Sequence, residues 1–333
     1  MTEGAAGPTL VIQTAFLGDV ILTTPLLSAL AERFGPVDVV TTPGAAALLE
    51  SHPAVRRVVT HDKHRSERGL RGVVLLARRL RAERYARAYL PHRSWRSGLA
   101  ARLAGIPERI GFGDAPARWT YTRQIERDPT LHEVPRLLAL AGAVDAYPVS
   151  LGITLADDRA AAAWLDLAGV PKRFVALAPG SIWATKRWGK FAELAAMLDT
   201  FVVTIGGPED RALGEAVVTA AGAGGVNAAG ALPLRVSAAL LARAAALVTN
   251  DSAPMHLAQA TGTPTLAIFG PTVPAFGFGP RGPQDLVLEV DSLACRPCSA
   301  HGPLVCPLGH HHCMTQLDVV RVHQALRQLL SPV

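Results

Sequence analysis

Long hydrophobic runs are missing from this 333-residue sequence, and none approaches the roughly 18 residues needed to span a bilayer. The N-terminus shows no basic segment followed by an apolar stretch of signal-peptide length, so the expected location is cytoplasmic. Charged residues are scarce at 18%, while hydrophobic residues reach 49%; that balance excludes long disordered tracts. Only the first eight residues, rich in Gly and Ala, read as loose. Aromatic residues are also few, at 5%, and hardly interleave with the basic ones. No nucleic-acid-binding motif is visible, so nucleic acid is not the expected partner. Several catalytic signatures are absent as well. Without GxSxG, HExxH or GxxxxGK[ST], serine hydrolase, zinc protease and P-loop nucleotidase chemistry lose support. The lack of GxGxxG in the first strand turn weakens a dehydrogenase reading.

What is present is an alternation of short apolar strands with amphipathic helices, the pattern of parallel sheets covered by helices. Strands are predicted at Thr9–Gln13, Val37–Thr41, Val55–Thr60 and Tyr85–Leu90, with helices at Val20–Arg33 and Leu70–Arg84. The signal weakens near residues 147–158. A helix at Arg159–Ala168 then leads into strands at Phe174–Ala178, Phe201–Ile205, Ala246–Thr249 and Thr265–Phe269. The expected fold is α/β, with two Rossmann-like doubly wound domains, 1–155 and 156–333. Ligands collect at the carboxyl ends of strands in such sheets, so the strand-end turns are the places to look.

The second half has four strand-end turns of this kind, each bearing Gly, Pro or Asp. Pro179-Gly180-Ser181 leads to Lys186, which offers close backbone approach and then a cation, a combination suited to an anion. Thr249-Asn-Asp-Ser252 precedes a helical Met255–Ala260. There Asp251 or Ser252 caps the helix while free N–H groups near Ala253 meet a phosphate. His256 lies one turn in, facing a cleft or serving as a structural histidine. Gly206-Gly-Pro-Glu-Asp210 and Phe269-Gly270-Pro-Thr272 are two further turns, readable as ligand loops or as plain tight turns. In the first half Gly18-Asp19 opens a helix, with Asp19 either its N-cap or a general base toward a hydroxyl.

All of the excess positive charge is N-terminal. Residues 1–155 hold 20 Lys/Arg against 14 Asp/Glu, and the stretch Arg56–Arg102 alone holds 14 basic against 3 acidic. That run, with Arg56, Lys63, Arg93 and Arg96, is either a solvated helix face or a patch for an anionic partner. All four cysteines fall in Cys295-x2-Cys298-x7-Cys306-x6-Cys313. The readings are a structural zinc site, reduced thiols packing a loop, or disulfides.

Taken in order, Leu17-Gly-Asp-Val-Ile-Leu-Thr-Thr-Pro25, Lys186-Arg-Trp188, Gly206–Asp210, Thr249-Asn-Asp-Ser-Ala-Pro-Met-His256 and Phe269-Gly-Pro-Thr272 resemble glycosyltransferase family 9. Cys306-Pro-Leu-Gly-His310 resembles its heptosyltransferase II subgroup. The resemblance implies the GT-B architecture, with the acceptor held by the N-terminal domain and the nucleotide-sugar by the C-terminal one. It also implies a C-terminal helix that crosses back toward the first domain. By carry-over Asp19 is the base, Lys186 lies near the donor diphosphate, and Gly18, Gly180, Ser181, Gly206, Asp251, Ser252, Ala253, His256, Gly270 and Thr272 belong to the donor site. The implied reaction is inverting and uses no cofactor or metal in catalysis. Its donor is ADP-L-glycero-β-D-manno-heptose, and its acceptor the anionic Kdo–lipid A core of lipopolysaccharide, met at the inner membrane surface. Rival readings are a transferase or epimerase of the same fold acting on another nucleotide-sugar, and a non-catalytic nucleotide- or glycan-binding protein.

Overall fold

The computed structural model describes residues 7–63 and 65–331; most of the loose first eight lie outside them. The chain divides into two compact units, Met1–Gly152 and Ile153–Val333. The first holds β1 (Thr9–Ile12), β2 (Val37–Thr41), β3 (Val55–Thr60), β4 (Arg87–Leu90), β5 (Glu108–Phe112) and β6 (Arg123–Ile125). The second holds β7 (Phe174–Ala178), β8 (Phe201–Thr204), β9 (Gly225–Asn227), β10 (Ala246–Asn250), β11 (Thr265–Phe269) and β12 (Leu286–Glu289). Their orders are β3-β2-β1-β4-β5-β6 and β12-β11-β10-β7-β8-β9. Counted from its own first strand, each sheet therefore runs 3-2-1-4-5-6. Each ladder is parallel, with Thr249 of β10 level with Ala178 of β7 and Ala267 of β11.

The strands in the middle of each sheet are apolar because both of their faces are covered. In β1, Leu10 and Ile12 pack with Leu76 and Leu80 on one face. Val11, pointing the other way, packs with Leu26 and Leu30. In the second unit Val175 and Leu177 meet Trp188 and Leu194. The same cluster takes in Val322 and Leu326 of the last helix, Val319–Leu330. Each of those two fully buried side chains contributes about 1.5–3 kcal/mol. The C-terminal helix thus has its apolar stripe seated on its own unit.

Four strands escape the periodicity reading: β5, β6, β9 and β12. Three of them, β6, β9 and β12, are sheet-edge strands of three or four residues and are half-exposed or exposed. The helix predicted at Val20–Arg33 is two helices, Leu17–Leu22 and Thr24–Phe34. Pro25 has no N–H for Ile21, and the chain resets there. Hydroxyls add bonds at the break: Thr24 Oγ1 donates to Ile21 O at 2.8 Å and Thr23 Oγ1 to Asp19 O at 2.7 Å. The short first helix leaves Asp19 on a rigid turn directly after β1.

Candidate active site

In a 3-2-1-4-5-6 sheet the loops leave the carboxyl ends of the two middle strands in opposite directions, which opens a crevice at the switch point. In the second unit those strands are β7 and β10. Their loops are Pro179-Gly180-Ser181 and Asp251-Ser252, two of the four turns that the sequence marks.

Asn250, absent from the expected site residues, joins these turns. Its amide donates to Pro179 O at 2.9 Å and Gly180 O at 3.3 Å, and its Oδ1 accepts from Trp188 N at 3.0 Å. With Trp188 fixed, the turn carrying Lys186 is fixed as well. Lys186 Nζ donates to Asp251 Oδ2 at 2.5 Å, and Thr272 Oγ1 donates to the same oxygen at 2.6 Å. All three residues are buried. One ammonium N–H of three is used, leaving two for a ligand. Three sequence-marked residues from three loops therefore form one network.

Neither Asp251 nor Ser252 caps the helix Ala253–Thr261, contrary to expectation: Ser252 makes no capping bond, and Asp251 is turned to Lys186. The helix N-terminus keeps its partial positive charge without a side-chain cap. His256 is buried in that helix, its Nδ1 without a hydrogen-bond partner among the described residues. Burial lowers its pKa to about 4, so it is a neutral imidazole and supplies no charge.

The glycines have internal explanations. A Cβ on Gly180 would lie 2.1 Å from the Asp210 carboxylate, and one on Gly206 2.7 Å from it. Asp210, also unmarked as a site residue, accepts from Gly207 N at 3.0 Å and wedges the two turns together. Gly270 is held against the Met314 thioether, 2.5 Å from where a Cβ would stand. Ser181 Oγ accepts from Trp183 N at 3.3 Å, and its carbonyl accepts from Arg187 Nε at 2.9 Å.

The cysteine-rich segment braces these same loops. Arg296 reaches the carbonyls of Gly270 and, at 2.9 Å, Thr272, and pairs with Glu289 at 2.7 Å. Cys298 N donates to Pro271 O at 2.9 Å, and His311 Nε2 lies 2.7 Å from Thr185 O. The expected zinc site at Cys295, Cys298, Cys306 and Cys313 does not fit. Among the described residues no three His, Cys, Asp or Glu side chains are placed to hold a metal, and the four thiols are free. Cys298 Sγ is turned to Cys295 O at 3.3 Å. Cys313 is buried in the apolar core, where desolvation pushes its thiol up to about 11, disfavouring the thiolate a metal needs. All four are free thiols, and of them only Cys313 is packed in the core.

In the first unit the switch point lies between β1 and β4. Gln13 after β1 donates to Thr23 Oγ1 at 3.0 Å, and Thr14 Oγ1 lies 3.3 Å from His92 Nδ1 after β4. Asp19 sits in the first turn of Leu17–Leu22, beside Gly18, and its Oδ2 accepts from Phe16 N at 3.2 Å. Its pKa is raised from 3.8 to about 6, chiefly by desolvation and then by the negative charge of Glu133. Gly18, expected at the donor site, thus lies in the first unit, in the turn that positions Asp19.

A cavity in this unit is lined by Thr14, His61, Lys63, Ser94, Arg96 and Ser97, with Val73 and Leu76 as its apolar wall. Burial depresses the Lys63 pKa, Arg96 depresses it further, and Asp19 opposes both. Two cations sharing a cavity in this way are suited to an anion. Of the other expected acceptor residues, Arg56 is committed elsewhere, which corrects its assignment. It makes a bidentate pair with the fully buried Asp38, both contacts at 2.8 Å, and Tyr85 OH donates to that carboxylate at 2.6 Å. Arg93 pairs with Asp114 at 3.3 Å in a half-exposed contact, weak enough to exchange for a ligand.

Residues 73–305 match glycosyltransferase family 9 (heptosyltransferase). The chain is 27% identical over 296 residues to lipopolysaccharide heptosyltransferase 2 of Escherichia coli K12, covering 80% of this chain and 84% of that one. A shorter segment of 88 residues is 39% identical to lipooligosaccharide heptosyltransferase 2 of Campylobacter jejuni, 26% of either chain. The solved structure of E. coli ADP-heptose LPS heptosyltransferase II superposes with a TM-score of 0.78 at 25% identity, covering 97% of this chain and 98% of that one. A family 9 glycosyltransferase from Veillonella parvula, at 24% identity, gives a TM-score of 0.85, covering 99% and 98%. The two sheets with their flanking helices are those of the GT-B architecture. Among the described residues no helix is long and apolar enough to cross a membrane.

Proposed function

This chain belongs to glycosyltransferase family 9, and from that premise we propose that it transfers a heptose from ADP-L-glycero-β-D-manno-heptose to the anionic inner core of lipopolysaccharide, with inversion. The observation that carries the reading is Asp19. It is a carboxylate on a fixed turn at the β1 switch point with a pKa of about 6, ionised at neutral pH yet basic enough to accept a proton. The cation-lined cavity near it suits a phosphorylated or carboxylated acceptor.

In the proposed step an acceptor hydroxyl oxygen attacks the anomeric carbon, its proton passes to Asp19, and the bond from that carbon to the diphosphate oxygen breaks. The electron pair leaves with ADP. Lys186, oriented by Asp251 and Thr272, and the uncapped N-terminus of Ala253–Thr261 stabilise the negative charge that grows on the departing diphosphate. On the donor side Lys186, Asp251, Thr272, Ser252 and Ala253 are assigned to contact. Gly180, Ser181, Gly206, Gly270 and His256 shape the loops, and Gly18 and Asp19 belong to the acceptor side. Lys63 and Arg96, with Arg93 at the surface, are assigned to the acceptor anion. No step requires a metal ion. The chain is assigned to the cytoplasmic side, where a nucleotide-sugar and the membrane-held acceptor meet.

The test is a panel of nucleotide-sugars against core acceptors, with products weighed by mass spectrometry. Transfer from ADP-heptose in preference to UDP- or GDP-sugars is expected. Transfer from another donor alone, or tight ADP binding with no turnover on any acceptor, would overturn it.

A further inference from the structure

The helix Gly69–Ala82 buries Gly72, Val73, Leu76, Ala77 and Leu80, which is the stripe that an amphipathic helix turns to its core. Its outward arc is not the polar surface that normally completes such a helix. Leu70 is 63% exposed, Val74 40% and Leu75 39%, with Arg71, Arg78 and Arg81 exposed between them. Arg65 and Arg68 precede the helix and are exposed too. Arg65, Arg68, Arg71 and Arg78 make no ion pair among the described residues. The nearby acids are already neutralised, Glu67 by Arg79 at 2.7 Å and Glu83 by Arg57 at 2.8 Å.

The neighbouring helix Trp95–Leu103 is tied to this one by Arg81, which donates to Leu103 O. It exposes Trp95 to 41%, with Arg96 stacked on the indole at 5.2 Å. Leucine, valine and tryptophan interleaved with unpaired arginines form a surface suited to the boundary of a bilayer: apolar groups enter the acyl edge, and guanidiniums meet lipid phosphates. A protein partner would instead be expected to meet a closed apolar patch with little charge at its centre.

We infer that this face docks on an anionic lipid bilayer, with Leu70, Val74 and Leu75 as the inserted groups and Arg65, Arg68, Arg71 and Arg78 as the charge contacts. The inference deepens the proposed function and rests on it for the reason to dock, since a lipid-anchored acceptor is met at the membrane. The same helix supplies Val73 and Leu76 to the wall of the Lys63–Arg96 cavity, so docking along its outer arc sets the cavity beside the bilayer.

Vesicle co-sedimentation of the full chain tests this without any sugar. The wild type is expected to bind phosphatidylglycerol-containing vesicles, to release with salt, and to ignore pure phosphatidylcholine. The Leu70→Ser/Val74→Ser/Leu75→Ser protein is expected to partition roughly tenfold less. The Arg71→Gln/Arg78→Gln protein is expected to lose a similar factor and much of the salt dependence. Both variants should keep wild-type transfer to a water-soluble, deacylated acceptor while losing rate on acceptor embedded in vesicles. Wild-type vesicle binding by the serine variant, equal binding to neutral vesicles, or equal loss on soluble and embedded acceptor would each overturn the inference. Vesicle binding that responds to the variants, from a protein that transfers heptose to neither acceptor, would support the docking face and refute the transfer reaction.

Discussion

Replacing Asp19 by asparagine should make the protein more stable and nearly inactive at once. The carboxylate is held in a turn where its pKa rises from 3.8 to about 6. At about 1.4 kcal/mol for each tenfold, keeping it ionised costs the folded state about 3 kcal/mol. The sign follows from an acid whose folded pKa is raised. The cost is absent below about pH 3.8, grows as pH climbs to about 6, and is constant above that. Asparagine keeps the acceptor oxygen for Phe16 N and carries no charge facing Glu133. Asp19→Asn should therefore gain up to about 3 kcal/mol near pH 7–8 and almost nothing near pH 4. Urea unfolding of both proteins across that range measures it. Transfer in the variant should fall by about 10²–10⁴, and wild-type kcat/KM should decline tenfold per pH unit below about 6 as Asp19 protonates. A variant within tenfold of wild-type rate, or a stability gain that does not change with pH, would refute the reasoning.

Four further perturbations separate groups that bind ligand from groups that hold the fold. Lys186→Met strands the buried Asp251 carboxylate with Thr272 as its remaining side-chain donor; thermal unfolding should show a loss of about 3–5 kcal/mol, and adding Asp251→Asn should restore part of it while ADP titration stays weak. Arg56→Ala should cost about 1–3 kcal/mol with acceptor KM unchanged, because Arg56 serves Asp38. Lys63→Ala and Arg96→Ala should each raise acceptor KM roughly tenfold or more at nearly constant Tm; the opposite pattern would relocate the anion site. Cys313→Ser, which buries a hydroxyl in apolar surroundings, should cost about 1–3 kcal/mol, whereas Cys306→Ser at the surface should cost almost nothing. Equal losses at all four cysteines would point back to a shared metal.

The periodicity of the chain was enough to place most inner strands and the turns that follow them, because a strand covered on both faces must be continuously apolar. It missed β5, where Arg109 and Gly111 interrupt the run, and the half-exposed β6, β9 and β12. The family motifs located Asp19, Lys186, Asp251 and Thr272. What they could not convey is partnership. That Lys186 and Thr272 converge on one oxygen of Asp251, or that Asn250 ties Trp188 to the Pro179–Gly180 turn, depends on contacts spanning 21 to 71 residues. Arg56 looked like its neighbours in a basic run. Its difference lies in Asp38, a lone carboxylate in an apolar strand, and a buried acid opposite adjacent arginines was the available signal. The cysteine spacing suggested a metal because sequence shows proximity along the chain and says nothing of where each thiol points.

Internal pairing is also the best guide to which of these groups await a ligand. Gly180, Gly206 and Gly270 would ordinarily be read as clearance for a phosphate, yet Asp210 and Met314 already fill the space beside them, so their role is to let three loops close on one another. Arg296 and His311 spend their donors on carbonyls of the same loops. Once such contacts are set aside, few groups at the two switch points remain open: Asp19 beside Glu133, Lys63 facing Arg96, the spare N–H bonds of Lys186, and the uncapped helix start at Ser252 and Ala253. They comprise one carboxylate and three electropositive sites. A hydroxyl nucleophile on an anionic acceptor and a diphosphate leaving group would satisfy all four, whereas a protein that only bound nucleotide would have no use for a desolvated carboxylate whose ionisation works against its own fold.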